Sequence, residues 1–584
     1  MLADKAQFYL KLSIADIPFG VTHLESKNYQ LSRHYQWQVE IFTKNYLKSQ
    51  ALLNTRAHLI FDIDDNKYYY HGIIAGSDYF GPTPQGYHYC IFLHSPLAIL
   101  KIRQQSQIFL NKTIKEIIEE LLTTAGFLAN QYSFKLDKTY PQLAYTVQYN
   151  ERDLEFMERL ASRYGLFYGF TQDESHAQII FYDNCAHLSG LTAIGFEPLS
   201  GHSRPFAAIY KIKQKCQLLS QHVELTAYND ATPESVLSAH TSNATAITGM
   251  HTIQYSDGHF DNQLQGEHLA QVHQEMLDCQ RQTFVAESDC ITLRLGQLIH
   301  LSNHREDTYN RLYRVIAIKH LATENNSLSA IDKTYRYYNK LLLISHEIPF
   351  RARCKAIAPK FHGIWCGRIE GNLGDPYGAI DEQGYYRVRM PFAAQTPNSL
   401  PLRLLQSYGD ASCEGGLHYP LHAGTLVAIV CINGDIDRPV ILGMIPNPEQ
   451  PSPVTASNQT QYIIRTSSCN ELRFDDRENN YSINLHTRLE KNRLTLNATT
   501  TKHSVELASI DGSIDICAGK TIDFQCYNDQ RLQAEKQHAV DLKNYQHLWA
   551  HRLTLRAQKI TLFAKQHFAW QAIYLNYQSR YLEW

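Results

Sequence analysis

The chain has 584 residues, too many for one hydrophobic core, and 44% apolar content with 37 Tyr and 24 Phe excludes extensive disorder. A formal net charge of -2, from 55 basic and 57 acidic residues, gives no reason to expect a nucleic acid or an anionic membrane as partner. The 12 cysteines are scattered singly with no Cys-x-x-Cys, which reads as reduced structural thiols and not as a disulfide frame or a zinc site.

The opening stretch, MLADKAQFYLKLSIADIPFG, has no apolar segment of signal-peptide type, and no run approaches the ~20 apolar residues of a membrane span. Synthesis in the cytoplasm is expected, with any export taking place without a signal peptide. Residues 1 to about 345 read as an α+β region built mainly from sheets or barrels. Thr113 to Leu122 predicts a helix: Thr113 and Glu116 have capping-box spacing, Ile114, Ile117, Ile118 and Leu121 share a face, and Gly126 stops it. A second helix is predicted over Glu151 to Tyr164, with Glu155 and Arg159 as an i,i+4 pair and Gly165 as terminator. A third runs from about Glu267 to Gln280, with Leu269, Val272, Met276 and Cys279 inward. Tyr145 to Tyr149, Gln178 to Tyr182 and Tyr313 to Ile318 alternate as strands do.

Residues 346–362 read as a linker, extended by Pro349 and Pro359. Over 363–447 short strands alternate with turn clusters, the spacing of a small barrel of about five strands, of OB-fold type. Residues 448–480 form a neck that begins proline-rich. From 481 to 584 apolar-x-apolar triplets recur, beginning with Ile483-Asn484-Leu485, Leu494-Thr495-Leu496 and Val505-Glu506-Leu507. The early ones lie 11 residues apart; from Val505 to Tyr581 the mean period is about 7.6 residues. Each triplet is a short strand with one apolar face, which cannot be buried alone and must coil into a β-solenoid or share its core with other copies.

Catalytic readings find little support. Asp435/Asp437 and Asp475/Asp476 invite a paired-carboxylate glycosidase, but both sit in turn sequences, where an Asp binds backbone amides and the Arg of Asp437-Arg438-Pro439 holds a carboxylate. His346-Glu347 lacks the second His of a zinc-protease motif, and His547 and His551 fall on different turns of the repeat. There is no Gly-x-Ser-x-Gly elbow and no P-loop. No catalysis, cofactor or metal is expected.

Several stretches, in order, resemble the VgrG family, the trimeric spike proteins of type VI secretion, which are similar to fused tail hub and needle proteins of contractile phages. They are YTVQYNERDLEFMERLASRYGLFYGF (145–170), IPFRA (348–352), GLHYPLHAGTLVAIVCINGDIDRPVILGMIPNPEQPSPVTASN (416–458) and NELRFDD (470–476). Ile436 stands where the family usually has proline, and Leu426 where an acidic residue is common. The resemblance implies a mainly β chain: a β-barrel hub with short helices (1–345), an OB-fold barrel, and a C-terminal trimeric triangular β-helix, or β-prism. It implies a structural spike that sits on a ring-shaped tube protein similar to Hcp, and that carries a PAAR-repeat cap and effector cargo. Because the chain stops at Trp584 with no globular extension, a built-in effector is not expected. Rival readings are a baseplate spike of a phage, tailocin or extracellular injector, and a spike-borne cell-wall hydrolase, for which the short neck leaves no room.

The tip differs from the shaft. Phe568, Trp570, Tyr574, Tyr577, Tyr581 and Trp584 place aromatic residues on both faces of the last repeats. Either a strand register slips there, or these residues form a docking surface, for which the resemblance supplies the cap protein.

Overall fold

Gln36–Thr43 alternates polar and apolar residues, and Trp37, Val39 and Ile41 turn inward while their neighbours face out. Arg56–Ile63 does the same with Ala57, Leu59, Phe61 and Ile63. These strands belong to a ring in the order Phe8–Ile14, Arg56–Ile63, Asn66–Thr83, Gly86–His94, Gln36–Thr43 and Ile17–Lys27, closed by pairing of the last strand with the first. The computed structural model of the chain describes residues 8–63, 66–199, 206–228, 236–242, 253–257, 260, 262–324, 335–353, 358–393, 399–410, 415–541 and 554. It divides into two compact units, Met1–Ser452 and Pro453–Trp584.

A second ring in the first unit runs Leu312–Glu324, Leu298–Ser302, Leu191–Phe196, Ala208–Cys216, Gln282–Ser288 and Tyr335–Ser345, again closed on itself. The rings share an edge where Leu321, Ala322 and Thr323 pair with Glu25, Leu24 and His23. One continuous apolar core runs through both, from Leu10 to Leu343. Closure removes the open strand edges that would otherwise template aggregation.

Two helices, Ile114–Thr124 and Asp153–Arg163, pack on a separate core. Ile114–Thr124 begins with the expected capping box: Glu116 N–H donates to Thr113 Oγ1 (3.3 Å), and Thr113 N–H donates to Glu116 Oε2 (2.7 Å). Asp153–Arg163 ends at Gly165, whose φ of +81° only glycine adopts cheaply. The third helix is longer than expected, Gln263–Arg281, because Asn262 caps it by accepting from Gln265 N–H (3.0 Å).

The expected i,i+4 pair of the second helix does not form. Arg159 is buried and its Nε and Nη2 donate to Glu151 at 2.9 and 2.8 Å, while Glu155 lies 3.7 Å from Arg152. The helix face carrying Arg159 packs on the preceding strand, Leu143–Arg152, and burial selects the carboxylate that is buried with it.

The start of the linker is docked. Phe350 is buried against Phe167, with ring centres 5.3 Å apart. Arg351 Nε pairs with Glu275 (2.7 Å), and its Nη1 donates to the carbonyls of Gly165 (3.1 Å) and Asp183 (2.7 Å). One guanidinium thus ties together a helix, a helix terminus and a strand end.

Trp365–Ile369, Tyr386–Arg389, Leu400–Leu402, Leu426–Cys431 and Pro439–Met444 form a five-stranded sheet. Leu405 N–H to Ile441 O (2.9 Å) and Ile441 N–H to Arg403 O (2.8 Å) close it into a small barrel. The expectation of a mainly β chain, with barrel hub and OB-type barrel, is borne out.

In the second unit Gln461–Arg465, Glu471–Asp475, Asn480–His486, Asn492–Thr499 and His503–Ser509 form an antiparallel meander. The three triplets spaced 11 residues apart are successive rungs of this sheet: Ile483 faces Leu496, which faces Val505.

Candidate functional site

One face of the meander carries two wholly apolar rows. Tyr462, Phe474, Ile483, Leu496 and Val505 stand opposite one another across all five strands, and Ile464, Leu472, Leu485, Leu494 and Leu507 form a second row two residues away. Rows two residues apart lie on one side of a sheet. Most of these side chains are exposed in the single copy, Val505 by 73% and Leu485 by 52%. Such a patch is an interaction surface. Each aliphatic side chain contributes about 1.5–3 kcal/mol on full burial, so covering two rows offsets the ~4–15 kcal/mol cost of association.

Beyond the meander the chain turns at 511–512, 519–520, 527–528 and 535–536, a corner every eight residues. The mean interval of about 7.6 conceals this fixed spacing. Ile516, Phe524, Leu532 and Val540 occupy the same place in successive turns, and every residue from Ile510 to Asp541 is exposed. Among the described residues no ladder joins 510–541 to any strand of this chain. Backbone amides and carbonyls in an extended run require partners once covered by apolar surface.

The opposite face of the meander is polar and tightly paired. Glu471 is buried between Arg465, Arg473 (3.4 Å) and His486 (3.6 Å). Asp475 accepts from Thr460 Oγ1 (2.7 Å), Gln461 Nε2 (2.9 Å) and Arg477 N–H (3.0 Å), so it holds a turn. Hydrogen bonds from Gln461 and Thr460 hold its carboxyl below the usual carboxylate range. A depressed folded pKa means stability that is present above the unfolded value of about 3.9 and lost as pH falls through the folded one. Asp475→Asn should therefore lower stability at neutral pH and flatten the loss below about pH 4, as followed by acid unfolding.

In the first unit the acidic turn is also structural. Asp437 is buried and accepts Val147 N–H at 2.7 Å, its own N–H donates to Asp435 Oδ1 (3.0 Å), and Arg438 lies 3.8 Å from Asp435. The expected Asp–amide contact exists, but the amide lies 290 residues away in sequence. Val147 sits on the antiparallel pair of Gln104–Lys112 and Leu143–Arg152, which adds Ile108 and Val147 to the small barrel's core. Tyr149 packs edge-on or tilted among Trp365, Phe361 and Phe392, with ring centres 5.0–5.4 Å apart.

The polar letters of the 145–170 stretch form one buried network beside it. Gln148 Nε2 donates to Asp153 Oδ1 (2.8 Å), as does Gln105 Nε2 (2.8 Å); Arg103 lies 3.0 Å from Asp153; and Glu151 holds Arg159. Every group has a structural partner. Sequence reasoning missed this joint, whose only signal was the density of polar residues between Gln148 and Arg159.

Phe568, Trp570, Tyr574, Tyr577, Tyr581 and Trp584 lie outside the described residues, as do His547 and His551. Among the described residues no group of three or more His, Cys, Asp or Glu side chains is arranged to hold a metal ion.

Two closed rings, a small barrel and an amphipathic meander define a tail-hub type of protein, and the chain belongs to the phage tail baseplate hub (GPD) family, matched over residues 29–326. It is similar to the type VI secretion system spike protein VgrG4b of Pseudomonas aeruginosa, 25% identical over 82% of this chain and 62% of that protein. It is equally similar to the actin cross-linking toxin VgrG1 of Vibrio cholerae, 25% identical over 83% of this chain and 47% of the toxin. The chain thus spans roughly half the length of these relatives.

In fold it resembles the Escherichia coli c3393 protein, a type VI secretion component similar to the T4 tail proteins gp27 and gp5. The TM-score is 0.56 at 19% identity, over 74% of this chain and 99% of that one. It also resembles a chain of the Francisella PdpA-VgrG complex, with a TM-score of 0.58 at 11% identity, over 87% and 81%. The resemblance to VgrG proteins expected from the motifs is borne out.

Proposed function

We propose that three copies of this chain form the spike of a contractile injection machine of the type VI secretion kind, a puncturing device that works without catalysis. The observation that carries this is the exposed apolar face of the meander, continued by 31 residues, Asp511 to Asp541, of cornered chain that joins no strand ladder among the described residues. Threefold association closes that face on an axis, and each copy supplies the strand neighbours the others lack. Residues 1–345 act as the hub on a ring-shaped tube protein similar to Hcp, and 346–362 link it to the OB-fold barrel of 363–447. Residues 448–480 are the neck and 481–584 the β-prism needle. Assembly takes place in the cytoplasm, and the spike then enters the target cell with its cargo.

At the tip, Phe568, Trp570, Tyr574, Tyr577, Tyr581 and Trp584 from three copies make an aromatic platform that a cone-shaped PAAR-repeat protein covers. Light scattering on the full chain should give a threefold mass; a stable folded monomer overturns the reading. Deleting 573–584 should leave that trimer intact and abolish co-purification of the cap, whereas equal recovery of the cap moves its docking surface elsewhere.

A further inference from the structure

Where the two rings of the first unit meet, the core is not wholly apolar. Trp37 and Tyr70 come from the first ring, with Tyr29 beside them, and His320, Tyr337 and Asn339 from the second. Arg294 reaches in from the turn before Leu298–Ser302. Trp37, His320 and Asn339 are at most 1% exposed. The rings of Trp37 and His320 lie 5.3 Å apart, and Tyr29 contacts both at 5.6 and 5.5 Å.

Asn339 Nδ2–H₂ donates to the Cys290 carbonyl (2.8 Å) and to Tyr337 Oη (3.0 Å), and Tyr337 Oη lies 2.7 Å from His320 Nδ1; with the phenol as donor to Nδ1, the ring proton of a neutral His320 falls on Nε2. Burial, reinforced by the Arg294 charge, holds His320 neutral, with its pKa lowered to about 3. In that tautomer the Nε2–H has no acceptor; neither do Trp37 Nε1–H and Arg294 Nη2. Arg294 Nη1 donates to the carbonyls of Ile291 (2.8 Å) and Leu293 (3.0 Å), and the guanidinium stacks 4.2 Å from the Tyr68 ring centre. Among the described residues no carboxylate pairs with it.

In this tautomer three buried donors and a positive charge share the seam with one unsatisfied acceptor, Asn339 Oδ1. A water molecule could accept from two of the donors but would bring two hydrogens of its own needing acceptors. An anion accepts from all three and offsets the guanidinium charge. We propose that the seam between the rings binds a small monovalent anion of chloride size through Arg294, Trp37 and His320. The site belongs to a single copy and does not depend on how copies assemble.

The test is the unfolding temperature of the full chain as chloride replaces gluconate at constant ionic strength. A saturable rise of about 2–4 °C is expected. It should be absent in Arg294→Gln, while Trp37→Phe, which keeps a ring and removes one donor, should move the midpoint to about tenfold higher chloride. Crystals grown in bromide should show an anomalous peak at the seam. A flat wild-type titration with no bromide peak, meaning buried water only, overturns the proposal, as does an undiminished response in Arg294→Gln. If Arg294→Gln does not fold, an unchanged midpoint in Trp37→Phe overturns it instead.

Discussion

Leu485→Asp should convert the assembled protein to monomers at micromolar concentration without unfolding the first unit. In one copy Leu485 is half exposed between Leu472 and Leu494, so a carboxylate there remains hydrated. In a threefold assembly three carboxylates would enter one apolar core, each costing several kcal/mol or taking up a proton. Asn484→Asp, on the other side of the same strand, is the matched control and should leave the mass unchanged. Light scattering decides between them. A stable trimer of Leu485→Asp would show that this face is not the shared one.

The largest effect on a single copy is expected from Arg159→Ala. Arg159 and Glu151 are 7% and 8% exposed, and removing one member of a buried pair strands the other charge, at about 3–5 kcal/mol. For a unit of this size that lowers the unfolding temperature by about 3–5 °C. Glu155→Ala should change stability by less than about 0.5 kcal/mol, since its contact with Arg152 is half exposed and 3.7 Å long. Thermal unfolding of the two variants separates the helix-spacing view of Arg159 from the one the fold imposes. Equal losses would favour the i,i+4 pair.

That contrast shows what a sequence discloses. Features set within a few residues were legible: the Thr113 capping box, the Gly165 stop, the turn held by Asp435 and Arg438, and the 11-residue spacing that became paired rungs. Features set by distant pairing were not. Nothing local tells Arg159 to prefer Glu151 over Glu155, or Asp437 to seek the amide of Val147. Ring closure between Phe8–Ile14 and Ile17–Lys27, or between Leu312–Glu324 and Tyr335–Ser345, reads locally as ordinary hairpins. The helices Ser49–Leu52 and Ala98–Ile102 are too short to carry a periodic signal.

A repeat of eight residues also creates an ambiguity of phase. Sliding one copy past its neighbours by one corner puts Ile516 where Phe524 stood and Phe524 where Leu532 stood, with every side chain on its original face. Such misaligned assemblies lose little burial and would be durable traps. The meander has no such translational symmetry: its rungs differ in length and composition, and its aromatic residues, Tyr462, Phe474 and Tyr481, occur only at its first three strands. It can dock against its copies in one phase only. In the proposed threefold assembly alignment is therefore decided at the base, and the uniform repeat can wind up afterwards like a zip whose first tooth has already been seated.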